Sequence, residues 1–224
     1  MENNLLKDRI SGYLLENSPE DIKAFVAEFQ TLMSYYKCAM HEIEGKFKVL
    51  NEQFSLQHER NPIESIKTRL KTFDSIREKL DRKGLPLSTE SIWNALNDVA
   101  GIRVVCSFID DIHMLAYCLI SQDDVKLIDI KDYIKEPKEN GYRSLHLIVE
   151  VPIFLCDDKR FVRAEVQLRT NNMNSWAKLE HRMRYKKNLS DEILALTHDE
   201  LKECAEISNQ LDLKMQAIRN IIEK

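Results

Sequence analysis

The sequence predicts an α/β (α+β) fold, a small mixed core with one helical arm at each end. Apolar residues recur every three or four positions near both ends of the chain, which is the period of an amphipathic helix. Between these ends lie short runs rich in β-branched residues, which are typical of strands. With 224 residues, 43% of them apolar and 31% charged, the chain suffices for one globular domain with flanking helices.

The N-terminal arm is expected to span residues 1–59. Ser18 and Pro19 indicate a helix start, with a capping hydroxyl followed by a proline in the first turn. We expect an interruption near Gly45 and a break at Asn61-Pro62. The apolar face of this helix comprises Ile22, Phe25, Phe29, Leu32, Tyr36, Met40, Ile43, Phe47, Leu50 and Phe54.

The core is expected to span residues 60–187 and to open with a second helix after Pro62. Gly84, followed by Leu-Pro, ends that helix. Its apolar face would consist of Ile66, Leu70, Phe73, Ile76 and Leu80. A short helix follows from Ser88 to about Leu96.

The rest of the core alternates between strands and helices. The expected strands are Ile102–Cys106, Val125–Ile130, Tyr142–Val151 and Phe161–Leu168. A helix over Asp111–Ser121 separates the first two strands, and the chain turns helical again after Arg169. The C-terminal arm, residues 188–224, is expected to be one helix capped by Ser190. Both arms are too apolar to stand alone, so we expect them to pack on the core, on each other or on another subunit.

Composition narrows the possible partners. The net charge of −4 argues against general affinity for nucleic acid or anionic membranes, and no apolar stretch approaches membrane length. We therefore expect no membrane and no stable nucleic-acid partner. The five cysteines are scattered, which favours reduced thiols and a cytoplasmic protein. The five glycines build neither a G-x-G-x-x-G nor a Walker loop, so side chains would have to hold any phosphates.

A basic stripe marks the helix expected after Asn61-Pro62. Lys71, Ser75 and Lys79 are spaced i, i+4 and i+8, which would stack them along one helical face. Arg69 would lie at the N-terminal end of that stripe. Two interpretations stay open: a solvated helix face, or a ladder of cations and a hydroxyl that grips a triphosphate.

Two acids are candidates for chemistry. Strand alternation places Glu165 with Gln167 and Arg169 on the side away from the apolar residues. There Glu165 would bind a metal or accept a proton, or pair with an arginine on an exposed face. Asp98 precedes the strand that contains Arg103, where an acid is either a turn residue or a magnesium ligand.

The segment Pro137–His146 is the most distinctive in the chain. Asn140-Gly141 forms a turn that leads into a strand. On that strand Tyr142, Ser144 and His146 share one face. An aromatic ring followed by polar groups suits a purine base, and the alternative is a core tyrosine beside a satisfied core histidine.

Together these segments resemble the synthetase domain of the RelA/SpoT family in its single-domain form, the small alarmone synthetases, and above all their RelP/YwaC-like branch. The resemblance covers roughly residues 61–187. Four segments in the same order carry it: Arg69-x-Lys71-x-x-x-Ser75-x-x-x-Lys79, Asp98-x-x-x-x-Arg103, Lys138-x-Asn140-Gly141-Tyr142-x-Ser144-Leu145-His146 and Glu165-x-Gln167-x-Arg169-Thr170.

The resemblance implies a nucleotidyltransferase-like fold, a mixed five-stranded sheet flanked by helices. It implies an enzyme of the stringent response that transfers the pyrophosphate of ATP to the 3′-hydroxyl of GDP or GTP, giving AMP and ppGpp or pppGpp. It also implies Mg²⁺ as cofactor. The apolar arms predict a homo-oligomer, and the resemblance implies a tetramer.

The resemblance further implies roles by position. Asp98 and Glu165 would be catalytic and would hold the magnesium, with Glu165 also acting on the acceptor hydroxyl. The residues expected to bind ATP are Arg69, Lys71, Ser75, Lys79 and Arg103. Those expected to bind GDP or GTP are Lys138, Asn140, Tyr142, His146 and Gln167.

Two other functions stay open at this point. A nucleotidyltransferase would move AMP instead of pyrophosphate on the same fold. A degenerate synthetase would bind nucleotide or RNA without catalysis, although the pair of Asp98 and Glu165 and the acidic balance argue against it. The stretch Asp129–Asp132 fits neither charge type that the family links to acceptor preference, so GDP and GTP stay equal candidates.

Overall fold

The computed structural model describes residues 18–58, 60–184 and 190–223, which form seven helices and five strands. The helices are α1 Pro19–His58, α2 Phe73–Arg82, α3 Thr89–Ala95, α4 Ile109–Ile120, α5 Asn171–Arg184, α6 Asp191–Leu196 and α7 His198–Ile222. The strands are β1 Ile63–Leu70, β2 Ala100–Cys106, β3 Lys126–Asp132, β4 Leu145–Phe154 and β5 Lys159–Thr170. Residues 1–17 of the expected N-terminal arm, and 185–189 where the expected core and C-terminal arm meet, lie outside the described residues. The division into arms and core stays a prediction.

The strands form one sheet in the order β1-β2-β5-β4-β3. β2 and β5 run parallel, and the other three pairs are antiparallel. The expected mixed five-stranded sheet is thus confirmed. β4 begins at Leu145, later than the expected Tyr142, because the backbone N–H of Tyr142 donates to Asn140 Oδ1 (3.2 Å) within the preceding turn.

One face of the sheet is apolar and carries the core. α1 packs across β1, β2, β4 and β5, and α4 packs on β2, β4 and β5. On β5, Ala164 and Val166 are fully buried in a hydrophobic cluster that includes residues of both helices. Alternation turns Glu165 and Gln167 to the opposite face of the sheet, which is polar.

α1 runs unbroken through Gly45, so the expected interruption is wrong. Ile43 and Phe47, on either side, are fully buried against the core, whereas a glycine in a helix interior costs only about 1 kcal/mol relative to alanine. Packing therefore keeps the helix continuous. None of the helices in the described ranges, α1 included, combines the length and the apolar content that a membrane span requires.

The helix expected after Pro62 is wrong in its first half. Ile63–Leu70 is strand β1, paired antiparallel with β2, and α2 begins only at Phe73. The spacing of Ile66 and Leu70 fits a helical face, but periodicity in so short a run does not separate a helix from a strand. The edge of β2 selects the strand conformation, because pairing with β2 satisfies the backbone hydrogen-bonding groups of β1.

The C-terminal arm forms two helices, not the single one expected. Ser190 does cap a helix, α6, by accepting a hydrogen bond from the N–H of Ile193. α6 ends at Leu196. The hydroxyl of the next residue, Thr197, donates to the carbonyl of Ile193 (2.8 Å) and so competes with a continued helix. α7 then packs on α4 and α5, and its Asp212 accepts from the hydroxyl of Thr170 at the end of β5 (2.6 Å).

Candidate active site

The polar face of the sheet carries a cavity of about 520 Å³. Strand register assembles its floor, because residues paired on neighbouring strands project to the same face. One row, across β1, β2 and β5, consists of Arg69, Gly101 and Glu165. The next row consists of Lys67, Arg103 and Gln167. His146 on β4 pairs with Gln167 but lies beyond the residues that line the cavity. The other lining residues are Thr68, Lys71, Ser75, Asp98 and Ile102.

Two lysines converge on Asp98. Lys71 Nζ and Lys79 Nζ both lie 2.7 Å from Asp98 Oδ2. The expected helical ladder is wrong in its geometry, because Lys71 lies in the connection between β1 and α2, and Arg69 lies on β1. Only Ser75 and Lys79 share a helical face. Arg69, Lys71 and Ser75 nevertheless line one cavity, and Lys79 contacts Asp98, which lines the same cavity.

Backbone contacts fix this cluster. The N–H of Lys71 donates to the carbonyl of Val99 (2.9 Å), which ties the β1–α2 connection to the residues before β2. Thr72 caps α2, because its hydroxyl oxygen accepts from the N–H of Ser75 (3.4 Å). Ser75 therefore lines the cavity from the N-terminal turn of α2, where the helix dipole favours anions.

Asp98 is a charged carboxylate, and both lysines contact the same one of its two oxygens. Burial raises its pKa, but the hydrogen bonds and charges of Lys71 and Lys79 outweigh burial and hold the pKa below its ordinary value. Oδ1 is buried and has no hydrogen-bond partner within the described residues. A buried carboxylate oxygen without a donor is unfavourable, so a cation at Oδ1 would stabilise this arrangement.

Glu165 faces the same cavity from β5. Its Oε1 lies 3.1 Å from His146 Nδ1, and its Oε2 accepts a hydrogen bond from Gln167 Nε2 (2.7 Å). Burial raises the pKa of Glu165, but the contacts with His146 and Gln167 more than offset this and bring the pKa below its ordinary value. Glu165 is therefore ionised at neutral pH and able to accept a proton.

His146 connects Glu165 to an aromatic cluster. Its Nε2 lies 2.8 Å from the Tyr142 hydroxyl. The rings of Tyr133, Tyr142 and His146 pack edge to face, with centroids 5.2–6.0 Å apart. Lys138 Nζ lies 4.8 Å from the Tyr133 ring centroid and 5.1 Å from that of Tyr142. The cluster thus presents ring faces and a cation side by side.

A tight turn holds Lys138 beside Tyr142. Gly141 has a φ of +87°, which favours glycine, and its N–H donates to the carbonyl of Lys138 (2.8 Å). A Cβ at Gly141 would lie 2.6 Å from Ala205 Cβ, so the turn also needs glycine to pack against α7. Asn140 belongs to the same turn, because its Oδ1 accepts from the N–H of Tyr142. The expected turn at Asn140-Gly141 is confirmed.

The sequence assigns no role to four residues that the structure places at the site. Lys67 and Thr68 line the cavity. Because this region is expected to be helical, the sequence does not indicate that Lys67 and Arg69 share one face of a strand. Tyr133 completes the aromatic cluster. Arg169 donates hydrogen bonds to the side chains of both Tyr142 and Gln167. The one signal for it in the sequence is strand alternation, which places Arg169 on the polar face.

The arrangement joins two kinds of binding surface. The cations around Asp98 suit a polyphosphate, and the aromatic cluster with Lys138 suits a charged ligand that carries a flat ring. Glu165 faces the cavity of the first surface and is linked through His146 to the second. Such a site is suited to group transfer between two ligands, with Glu165 as the proton acceptor.

Comparison with known proteins gives consistent matches. The model of the region found in RelA / SpoT proteins matches residues 68–190. The GTP pyrophosphokinase YwaC of Bacillus subtilis (strain 168) is 41% identical over 204 residues, which cover 91% of this chain and 96% of that protein.

Solved structures of similar proteins match this chain in both fold and sequence. The small alarmone synthetase 1 from Bacillus subtilis, bound to its product pppGpp, matches with a TM-score of 0.78 and 33% identity, over 88% of this chain and 98% of that chain. The same synthetase bound to AMPCPP matches with a TM-score of 0.72 and 30% identity, over equal shares. The matched region includes Asp98, Tyr142 and Glu165. The chain belongs to the RelA/SpoT family.

Proposed function

We propose that this chain is a GTP pyrophosphokinase, a small alarmone synthetase that transfers the pyrophosphate of ATP to the 3′-hydroxyl of GDP or GTP. One observation carries the proposal: an ionised carboxylate, Glu165, faces a cation-lined cavity and is linked through His146 to an aromatic cluster. A polyphosphate donor and a purine acceptor would thus meet at one acid. Similarity to GTP pyrophosphokinases over nearly the whole chain supports the same reaction.

The proposed ATP side is the cationic half of the cavity. Lys71, Lys79 and the helix terminus at Ser75 would bind the phosphates. Arg69 and Arg103 would bind the adenine, since guanidinium planes stack on flat rings and Gly101 adds no side chain between them. The small alarmone synthetase that binds AMPCPP supports an adenine nucleotide here.

The proposed acceptor side is the aromatic half. Tyr142 would stack on the guanine, and Lys138, whose ammonium lies 5.1 Å from that ring, would contribute charge toward the acceptor phosphates. Asn140, His146 and Gln167 complete the proposed GDP or GTP contacts. The similar synthetase bound to its product pppGpp supports a guanosine polyphosphate as a ligand of this chain.

Mg²⁺ fits the residues present. Within the described ranges, no group of three or more His, Cys, Asp and Glu side chains is placed to hold a metal ion. Magnesium in nucleotide enzymes uses one or two carboxylates together with substrate phosphates and water. Asp98, with a buried Oδ1 that lacks a hydrogen-bond partner within the described residues, and Glu165 would be these carboxylates. The ion would neutralise charge on the transferring phosphates.

In the proposed reaction the 3′-oxygen bonds to the β-phosphorus while the bond from that phosphorus to the α–β bridging oxygen breaks, and AMP leaves. Glu165 accepts the proton of the 3′-hydroxyl, which its ionised state at neutral pH permits. The lysines stabilise negative charge on the phosphates. Incubation with Mg²⁺, ATP and GDP or GTP should yield AMP and a 3′-pyrophosphorylated guanosine, and absence of both products contradicts the proposal.

Tyr142→Ala is expected to raise the Michaelis constant for the guanine nucleotide about 10- to 100-fold, the value of one base–aromatic stack. The Michaelis constant for ATP should change little, because Tyr142 is not among the residues that line the cationic cavity. Steady-state kinetics with each substrate varied in turn measures both. Equal damage to both constants together with a lower melting temperature would instead identify Tyr142 as a core residue.

We also propose a homo-oligomer, a tetramer by resemblance to the family. α7 exposes an apolar stripe at helical spacing, whose members are 47% to 77% exposed: Ile207, Leu211, Met215, Ile218 and Ile222. Contiguous apolar side chains of this kind are normally covered by another surface. A second copy of the chain is the proposed occupant.

Light scattering at micromolar concentration is expected to give a multiple of the 26.3 kDa chain mass. Leu211→Glu with Ile218→Glu should lower that mass, because two charges would enter an apolar interface. Phe154→Glu, at the hairpin between β4 and β5 and 72% exposed, is the matched control and should leave the mass unchanged. A mass of one chain for the unaltered protein contradicts the assembly.

A cytoplasmic location is part of the same proposal. The five cysteines Cys38, Cys106, Cys118, Cys156 and Cys204 are free, as suits a reducing compartment.

A further inference from the structure

We infer that Arg169 is a positioning residue whose guanidinium orients both branches of the hydrogen-bond network that ends on Glu165. Given the proposed function, Arg169 would fix the acceptor side of the site as one unit. Its side chain is almost completely buried, at 4% exposure, on the polar face of β5. Sequence alternation places it beside Gln167 and Glu165 but does not indicate what it contacts.

The first branch runs through Tyr142 and His146. Arg169 Nη2 donates to the Tyr142 hydroxyl oxygen, and an arginine has only donors, so this oxygen must be the acceptor. The Tyr142 proton is then available to His146 Nε2, 2.8 Å away. His146 Nδ1 therefore carries the ring proton and donates to Glu165 Oε1 (3.1 Å), because an ionised carboxylate only accepts.

The second branch runs through Gln167. The same Arg169 nitrogen, Nη2, donates to Gln167 Oε1 (2.8 Å). This contact fixes the orientation of the amide, so that Gln167 Nε2 donates to Glu165 Oε2 (2.7 Å). Both protons of one guanidinium nitrogen are thus used, and the two branches end on the two oxygens of one carboxylate.

Further contacts hold the guanidinium in place. Arg169 Nε donates to Ser144 Oγ (3.3 Å), and the Ser144 hydroxyl donates to the carbonyl of Leu168 (3.2 Å). The guanidinium carbon lies 4.9 Å from the Tyr142 ring centroid. A planar fork with several donors is required for this geometry, which a lysine cannot reproduce.

The consequence for the reaction follows from the identity of the partners. Tyr142, Gln167 and, through Tyr142, His146 are three of the proposed acceptor contacts, whereas Lys71 and Lys79 contact Asp98. Loss of the guanidinium fork would leave Lys71 and Lys79 in place on Asp98, where the ATP phosphates are proposed to bind. It would release the acceptor contacts and the orientation of Glu165 together.

The first test needs no nucleotide and therefore does not depend on the proposed function. In the ¹⁵N-labelled free protein, at a pH where an imidazole of ordinary pKa is neutral, the His146 resonances should show a proton on Nδ1 and a bare Nε2. His146→Gln identifies the signals among the six histidines. Tyr142→Phe and Arg169→Lys should each weaken this tautomer preference. A proton on Nε2 in the unaltered protein overturns the inference.

The second test is kinetic. Arg169→Lys is expected to raise the Michaelis constant for GDP or GTP and to lower kcat, each by about tenfold, the value of a lost hydrogen bond to a charged group. The Michaelis constant for ATP should stay within about twofold. Arg60→Lys, at the Asp111 ion pair (2.8 Å), is the matched arginine control and should leave all three constants unchanged.

A double-mutant cycle separates positioning from general loss of structure. Tyr142→Phe keeps the stacking ring but removes the hydroxyl through which the first branch runs. The effect of Arg169→Lys on acceptor kinetics should be clearly smaller in the Tyr142→Phe background, because the two variants break one network. Fully multiplicative effects, or equal losses for ATP and the acceptor, overturn the inference. If the unaltered enzyme makes no pyrophosphorylated guanosine, the proposed function fails, while the tautomer result still stands or falls by itself.

Discussion

Glu165→Gln is expected to lower turnover by about 10²- to 10⁴-fold, the usual effect of removing a general base. The amide preserves the shape of the side chain but has no negative charge with which to accept the proton of the 3′-hydroxyl or to hold Mg²⁺. Both oxygens of Glu165 lie next to hydrogen-bond donors in the network with His146 and Gln167, so the amide nitrogen will face one donor. That mismatch should cost about 1 kcal/mol, or roughly 2–4 °C in melting temperature.

Release of AMP, circular dichroism and binding of one nucleotide by calorimetry together measure this outcome. Glu150→Gln is the matched control, because Glu150 lies on β4 opposite Arg163, at 3.7 Å from its Nε, on the same face of the sheet. Its activity should stay within about twofold of the unaltered enzyme. A folded Glu165→Gln protein that keeps more than about a tenth of the normal rate would remove Glu165 from the proposed catalytic residues.

Asp98→Asn should lower kcat at least about 100-fold, since metal-assisted charge stabilisation is worth several kcal/mol and each 1.4 kcal/mol is a factor of ten. Asparagine keeps an oxygen near Lys71 and Lys79 but loses the charge that both ammonium groups contact at 2.7 Å. Affinity for Mg²⁺ in the presence of a non-hydrolysable ATP analogue should fall in parallel, which calorimetry measures without turnover.

The same variant has a pH-dependent effect on stability. The pKa of Asp98 is below its ordinary value in the folded protein, because the two lysines outweigh burial. Its ionised form therefore contributes stability above the unfolded-state pKa of about 3.9, and this contribution is lost as the pH falls through the lower folded pKa. The difference in unfolding free energy between the unaltered protein and Asp98→Asn should be constant near neutral pH and should shrink below about pH 4.

Asp81→Asn supplies the control for Asp98. Asp81 pairs with Arg77 on α2 at 3.2 Å and is 58% exposed. An exposed pair of this kind contributes about 0–1 kcal/mol, so activity and Mg²⁺ affinity should be unaffected. Unchanged Mg²⁺ affinity and full activity in Asp98→Asn would contradict the proposed role of Asp98.

Residue patterns predicted the sheet and its polar face well where local and tertiary preferences agree. The strand with Glu165 alternates cleanly, so its polar side was visible from the sequence and matches β5. β1 was not visible, because Ile66, Leu70 and Phe73 are also spaced as a helical face, and only pairing with β2 selects the strand. Lys71 therefore lies outside the helix in which it was expected. It still lies next to Lys79, because both side chains contact the carboxylate of Asp98.

Contacts between distant segments account for what the sequence did not reveal. Arg169 and Tyr142 are 27 positions apart, and no periodicity relates them. The sequence predicts Gly141 as a turn glycine but does not indicate that Ala205 of α7 packs against it. The continuity of α1 through Gly45 likewise depends on burial of Ile43 and Phe47. Local propensity predicts the type of each segment, but packing between segments determines their contacts and where a helix continues.

The fate of the β-phosphate of ATP tests the central claim most directly. The protein is incubated with Mg²⁺, GDP or GTP, and ATP labelled at the β-phosphorus, and the products are separated by chromatography. Pyrophosphate transfer predicts the label in the guanosine product, on the phosphorus bound to the 3′-oxygen, with unlabelled AMP released in equal amount. Label in free pyrophosphate, with AMP attached to an acceptor, would contradict the account and identify a nucleotidyltransferase.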